Sequence, residues 1–532
     1  MKRYLPVAAV ASAAAVLYFW NLGGAPMVVG GDEAHFAMHA RAIAATGHDI
    51  DGRFLPLFFR IDPATWYQPM LVYLIAAVLK VASVSEWSIR APIAFLAVVN
   101  VALMYAVGKR LFGSTRYAVL CAALLAMTPA HLILSRMALD YVCPLPFVLG
   151  WLWCLLTAIE TDNVWLALAG GLLLGVGFFS YVAAWFQMPV YLVTTLATMY
   201  VVKSRSRLWL AACAGFFALL LPFAVWVWFH GDAVGAIVSR YSVADAHRSS
   251  ALASVRYLLH YFVIQERLSL YWKYFDPVYL FLAGSPDPAL GTRKAGIFLL
   301  GAGLLLAYGI YAILRRSDRG VLLLAGFASA PLAPVIINSG DAIQRQAVVM
   351  PFGVLIAVYG ARQLLESPNK VVRTCTVLVL LTVPVQFAYF AHDYFTDYRM
   401  RAADRIDPLN FGEVAQYSLG PDAPGDIPRF YLSESLDDGV ARWQFYLAKY
   451  HRDDMWPRTW MLDPAAKNHW SMLAPLPTAP FDGERIPQGS VFVLNANDPA
   501  MSRLVGPGKC CEVVREVRSA SGNPASLLIR KR

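Results

Sequence analysis

The spacing of its apolar runs decides most of what this chain can become. After Lys2 and Arg3 comes an apolar run from Tyr4 to Trp20, and others follow at 67–84, 91–108, 117–134, 141–159, 164–182, 186–202, 208–229, 296–314, 320–337, 347–365 and 371–391. Runs of about 20 apolar residues match the thickness of a hydrocarbon core, where every backbone N–H and C=O must be satisfied internally, so they predict membrane-spanning helices. With 58% of its 532 residues hydrophobic and 15% charged, the chain is too apolar for a soluble domain. The net charge of +10 then reads as loop charge rather than a nucleic-acid footprint. Seven cysteines, mostly inside apolar runs, predict no disulfide framework.

Basic loops fix the expected sidedness. KRLFGSTR, KSRSR, RRSDR and PNKVVR lie between alternate pairs of runs, and the positive-inside rule puts all four in the cytoplasm with Lys2 and Arg3. That parity holds only if 67–84, opened by Tyr67-Gln68-Pro69 and interrupted by Lys80, lies along the outer interface instead of crossing. The result is eleven spans, counting an uncleaved first run with its N-terminus inside. An outer first loop (22–90), a long outer loop (230–295) and an outer C-terminal domain complete the plan.

The first outer loop holds an acidic pair, Asp32 and Glu33, behind Gly30-Gly31. One reading makes Asp32 the N-cap of a helix running to about Thr46; the other makes the pair a proton acceptor beside an anionic ligand at a membrane surface. The remaining polar residues fall on the same predicted face: Arg60, Arg90, Arg136 and Asp140 in SRMALD, Arg267 and Lys273, and Asp341 with Arg345. Several have a plainer explanation. Arg136 and Asp140 are spaced as a helix-end ion pair, Arg267 and Lys273 sit in an amphipathic interfacial stretch, and Arg345 can snorkel to headgroups. His35 and His39, one helical turn apart near Asp32, are the candidate ligands of a divalent metal ion.

The motifs GGDEAHFAMHARAIAATGHDIDGRFLPLFFR, YQPMLVYL, SEWSIRAPIAFL and SRMALDYVCPLPF follow one another in an order that resembles the dolichyl-phosphate-mannose protein mannosyltransferase (family 39) superfamily of GT-C glycosyltransferases, in its bacterial aminoarabinose-transferase-like branch. Later segments, YWKYFDPVYLFLAGSPDP and Ile343-Gln344-Arg345, are similar to outer loops of bacterial relatives. The resemblance covers roughly the first 350 residues. It implies an all-α polytopic membrane protein of about eleven transmembrane helices plus juxtamembrane helices. It also implies transfer of a sugar from a polyprenyl-phosphate donor to a protein, lipid or cell-envelope glycan on the extracytoplasmic face, in a cell inner membrane. Asp32 matches the family's acidic residue after the first span, with Glu33 next in the motif; Arg90 and Asp140 match a basic residue and an aspartate of the outer loops. Where many bacterial members read Lys-Pro-Pro, this chain has Gln68-Pro69-Met70, so Arg60, Lys273 or Arg345 must supply the phosphate contact.

Such chemistry has requirements of its own. Cations must meet the lipid phosphate, for which arginine's planar fork is suited, and must stabilise the charge that develops as the sugar–phosphate bond breaks. A carboxylate must take the proton of an acceptor hydroxyl or amine. The expected set is therefore Asp32 and Glu33 as catalytic carboxylates, with Asp32 the base, Arg60, Arg90, Lys273 and Arg345 at the donor phosphate, and Arg136 and Asp140 on the acceptor side. A transporter or flippase of a lipid-linked sugar is the alternative from another class, although transporters place charges inside spans near the midplane and these spans are nearly free of them.

Past His392 the composition shifts, dividing the chain into 1–392 and 393–532. RFYLSE then DDGVARWQFYLAKY, and VFVLNA then NDPAMSRL, read as strand–helix pairs, with Asp498 as a cap and Pro499 at the first helical position. EVVREVR and ASLLIRK around SGNP read as a hairpin. The expectation is a small extracytoplasmic α/β domain without a nucleotide-binding glycine pattern, hence no nucleotide cofactor. Cys510 and Cys511 are expected as free thiols.

Overall fold

The computed structural model describes residues 5–532 other than 63–64, 234–259, 317–319, 338, 422, 424–425, 434, 437, 463–477 and 480–485. Lys2, Arg3 and much of the expected outer loop 230–295 lie outside the described residues.

Helix α1 (Leu5–Phe19) is followed by α2 (Gly31–Thr46), the paired strands β1 (Phe59–Asp62) and β2 (Thr65–Tyr67), α3 (Pro69–Leu79) and α4 (Glu86–Phe112). Among the described residues, four helices are long and apolar enough to cross a membrane: Glu86–Phe112, Asp140–Thr161, Ser206–Phe229 and Lys370–Ile406. Seven shorter apolar helices accompany them. Proline explains some of the shortening. The run 117–134 divides into Thr115–Ala126 and Pro129–Leu134, and 320–337 into Gly320–Ser329 and Leu332–Ile336 just after Pro331. A proline offers no N–H to the preceding turn and instead starts a new helix. Helix α3 has 11 residues, about 16 Å at 1.5 Å per residue, roughly half a hydrocarbon core.

Two compact units emerge, and they are not consecutive stretches. One comprises 1–20, 67–71 and 93–393; the other comprises 21–66, 72–92 and 394–532. The cut near residue 393 coincides with the compositional shift, but the first loop joins the C-terminal residues rather than the spans that flank it. Side-chain contacts made across the second unit account for this: the His35–Asp438 hydrogen bond and the Arg41–Asp453 and Glu86–Lys449 ion pairs each join loop and C-terminal side chains. In the first unit, glycines let helices meet backbone to backbone. A Cβ on Gly171 would fall 2.1 Å from the Ala212 carbonyl oxygen, and one on Gly215 would fall 2.4 Å from that of Leu168.

The C-terminal part of the second unit is built on a six-stranded sheet of order β5-β4-β3-β6-β8-β7, with β3 Phe430–Ser433, β4 Thr459–Leu462, β5 Thr478–Ala479, β6 Val491–Asn495, β7 Cys511–Arg518 and β8 Pro524–Lys531. Strands β3 to β6 run parallel, while β8 pairs antiparallel with β6 and β7. The strand–helix pairs and terminal hairpin read from sequence are therefore present. Helix Gly439–Lys449 covers the sheet, with Trp443 stacked on Phe430 at 3.9 Å between centroids. Asp498 accepts from the Ala500 amide at 2.8 Å, and the short helix after it starts at Met501, so Pro499 precedes the helix instead of opening it. Cys510 and Cys511 form a disulfide, not the free thiols expected; adjacency does not prevent the bond.

Candidate active site

Helix α2 begins two residues earlier than the cap reading of Asp32 requires. Gly30 is the N-cap, Gly31 the first helical residue, Asp32 the second and Glu33 the third. With no side chain at the cap, Glu33 reaches back and accepts from the Gly30 amide at 3.1 Å, half of a capping box. Asp32 is thereby released from capping and stands exposed on the first turn. The two adjacent acids part company at once.

Glu33 is 2% exposed and forms a forked pair with Arg90, Nε to Oε1 at 2.8 Å and an Nη to Oε2 at 2.9 Å. Arg90 also donates to the carbonyls of Leu22, Pro26 and Val28 at 3.3, 2.7 and 2.7 Å. Five hydrogen bonds account for the five N–H groups of a guanidinium, so this arginine ties down the segment leading to α2 and has none left for a phosphate. Arg136, in the other unit, is the counterpart. Fully buried, it donates to the carbonyls of Leu17, Tyr18 and Trp20, where the end of α1 carries unsatisfied acceptors and the negative end of its dipole. Asp140, 6% exposed, opens a short 3-10 turn.

His35 and His39 are both buried. Nε2 of His35 donates to Asp438 Oδ1 at 3.2 Å, and Nε2 of His39 donates to the Arg60 carbonyl at 3.1 Å. Among the described residues no group of three His, Cys, Asp or Glu side chains is placed to hold a metal ion. Asp32, His35 and His39 are thus not brought together as the metal site expected of them, and each imidazole spends its Nε2 on a protein acceptor. Burial, with the nearby His35 and Arg53, pushes His39 down to about 3. Burial raises Asp438, but the hydrogen bond and charge of His35, with Arg442, outweigh it and hold the carboxyl below its ordinary range. Arg60, on β1, is half-buried.

The first unit carries its own polar cluster at the start of helix Ala184–Val201. Trp185 Nε1 donates to Gln68 Oε1 at 3.2 Å, and Gln187 Nε2 donates to the Arg345 carbonyl at 2.8 Å. One helical turn therefore anchors both the residue that replaces the expected lysine and the half-buried Arg345. Lys273 pairs with Asp341 at 2.6 Å, its side chain 55% exposed. Tyr274 donates to the Ser339 carbonyl and accepts from the Ala342 amide at 3.2 Å, shaping the turn before Arg345. Sequence reasoning missed Gln187, which lies inside the apolar run 186–202, Trp185 at the edge of that run, and Tyr274 in the aromatic stretch of the long loop; it also missed Asp438, which lies four hundred positions from its partner.

Known proteins resemble this arrangement. Residues 63–228 match the family model described as dolichyl-phosphate-mannose-protein mannosyltransferase. No curated protein sequence matches the chain. Among solved structures, ArnT from Cupriavidus metallidurans bound to undecaprenyl phosphate is similar with TM-score 0.62 at 15% identity, covering 98% of this chain and 97% of that one. Its apo state gives 0.61 at 13% identity over the same shares. Archaeoglobus fulgidus AglB, an oligosaccharyltransferase in complex with an inhibitory peptide and a dolichol-phosphate, gives 0.51 at 14% identity, covering 84% of this chain and 64% of that one. The resemblance read from the motifs stands: this chain has the GT-C glycosyltransferase fold, and residues 63–228 carry the mannosyltransferase family's sequence pattern.

Proposed function

We propose that the protein is an integral-membrane glycosyltransferase that moves a sugar from a polyprenyl-phosphate donor to an acceptor on the extracytoplasmic face, with Asp32 as base. The observation that carries the reading is the division of labour on the first turn of α2. Glu33 is locked to Arg90, while its neighbour Asp32 stays exposed. The folds it resembles include proteins solved with undecaprenyl phosphate and with dolichol-phosphate, which supports a lipid-phosphate donor.

In the reaction, an acceptor O–H or N–H gives its proton to the Asp32 carboxylate as the acceptor atom bonds to the anomeric carbon. The bond from that carbon to the phosphate oxygen breaks, and its electron pair leaves on the phosphate. A single displacement of this kind inverts the anomeric centre. Arg345 and Lys273 bind the leaving phosphate in place of the absent lysine at Gln68, their positive charges stabilising the oxygen as it develops; Arg60 contributes a third cation. Arg90 and Arg136 act as positioning residues, and Asp140 serves the acceptor side. Eleven spans, an N-terminus in the cytoplasm and an outer C-terminal domain complete the reading; an α3 too short to cross supports that parity.

The test uses the full-length enzyme in nanodiscs, with the lipid-linked sugar extracted from a deletion strain, where unconsumed donor accumulates. The acceptor comes from the envelope glycan, lipid or protein whose mass falls in that strain. Asp32→Asn is expected to lower transfer by about a hundredfold or more without changing the melting temperature. Transfer at the wild-type rate by Asp32→Asn would remove the base assignment. A wild-type protein that transfers nothing yet moves the lipid-linked sugar across liposomes would be a flippase.

A further inference from the structure

The first turn of α2 is held from the far end of the chain. Gly31 lies directly under the carboxylate of Asp438: a Cβ built on Gly31 would come within 1.7 Å of Asp438 Oδ2 and 2.4 Å of its Cγ. The other carboxylate oxygen takes the hydrogen bond of His35. One side chain therefore meets α2 at positions 31 and 35, on either side of Asp32 in sequence, and both contacts lie within one compact unit. Asp438 is itself set firmly. It is the N-cap of helix Gly439–Lys449, in the left-handed region at φ 50°, where the loop after β3 turns into the helix. The same helix is fastened to the first loop's far end by Lys449, which pairs with Glu86 at 2.6 Å.

Only glycine at position 31 leaves room for this contact. Its cost is a glycine in the first turn of a helix and a cap position without a side chain, both of which loosen the start of α2. A negative carboxylate over that start compensates, because the first turn presents unpaired N–H groups and the positive end of the helix dipole. His35 supplies the second anchor.

We propose that Asp438 is a positioning residue for Asp32: the C-terminal domain fixes the first turn of α2 through Gly31 and His35 and so aims the base. The inference rests on Asp32 being that base. The domain is then part of the catalytic scaffold, and its sheet orients Asp438 through the loop after β3.

The assay is transfer by the full-length enzyme in nanodiscs with lipid-linked sugar extracted from the deletion strain. Asp438→Ala is expected to lower kcat about ten- to a hundredfold, as a misplaced catalytic group does, with the KM for donor within about twofold of wild type. Asp438→Asn keeps the shape and an acceptor for His35 and is expected to retain activity within about threefold. Gly31→Ala evicts the carboxylate and should match Asp438→Ala, while the double variant should be no slower than either single one, because both act through one contact. A wild-type kcat in Asp438→Ala overturns the proposal, as do losses that add in the double variant or a fall in kcat matched by an equal rise in donor KM. Should Asp438→Ala fail to fold, Gly31→Ala decides: normal kcat there overturns the proposal. Asp32→Asn run alongside separates the two readings. If it is inactive while Asp438→Ala is normal, the positioning role alone fails; if it is active, the base reading fails and this inference with it.

Discussion

Two groups of charges read from sequence as site residues turn out to be built on opposite plans. Around the start of α2, Glu33 and Arg90 are almost wholly buried and every guanidinium N–H has an acceptor in the protein. In the first unit, Lys273 is more than half exposed and pairs with one carboxylate, Asp341. Buried charges must be matched inside the fold because desolvation is severe, whereas an exposed cation keeps N–H groups that a ligand can reach. The comparison teaches that a cation's place in a family motif does not say whether it holds the chain or the substrate; the count of its internal acceptors does.

The largest test of that contrast is to remove one member of each pair. Arg90→Met leaves the Glu33 charge buried without its fork and strips three carbonyls of their donor, so it should destabilise the protein by about 3–5 kcal/mol, read as a lower melting temperature in detergent. Lys273→Met should shift stability by under about 1 kcal/mol. Equal shifts for the two would erase the distinction.

A second test uses pH, and the sign follows from burial. His39 in the folded protein takes up a proton only near pH 3, whereas its ordinary value is 6.5. As pH falls from 6.5 towards 3, the unfolded chain binds a proton that the folded chain refuses, and stability drops by about 1.4 kcal/mol per pH unit. Asp438, held below its ordinary value of 3.8, contributes stability that is lost only at still lower pH. Between pH 6.5 and about 4.5, therefore, the steepening belongs to the imidazole. His39→Gln, which can still donate to the Arg60 carbonyl, should flatten the melting-temperature profile in that window; an unchanged profile would show that the histidine protonates freely when folded.

Much of this molecule was legible one segment at a time. The apolar runs, α2, and the strand–helix order of the last hundred residues each follow from a local period. What could not be read is pairing across distance. Nothing local to DE distinguishes Asp32 from Glu33, since the difference arises when Arg90 claims one of them. Nothing near Gly31 announces Asp438, and a loop can belong to a unit completed four hundred residues later. Hydropathy also overstated helix length at Pro129 and Pro331, where the run divides, whereas Pro92, Pro189, Pro222 and Pro384 are accommodated inside continuous helices.

Arg345 supplies the third test. Its backbone is fixed by Gln187 and its side chain is half-buried, intermediate between the two plans. Arg345→Gln should raise the donor KM about tenfold, roughly one charge-assisted contact, with little change in melting temperature. A large loss of stability with unchanged KM would move Arg345 to the structural side with Arg90.

The smallest effect belongs to Lys273, and its partner makes it informative. Asp341 neutralises part of the ammonium charge at 2.6 Å, so Lys273→Met should raise the donor KM only about two- to threefold. Asp341→Asn removes the competing anion and should lower that KM by a similar factor, provided the lysine meets the phosphate. In the double variant the benefit should vanish, since an amide cannot enhance a cation that is no longer there. Added salt should shrink both single-variant effects together, because an exposed pair is screened over a Debye length of about 10 Å at 0.1 M. If Asp341→Asn instead raises the KM as Lys273→Met does, the pair acts as a strut for the turn before Arg345, and the exposed cluster has adopted the plan of the buried one.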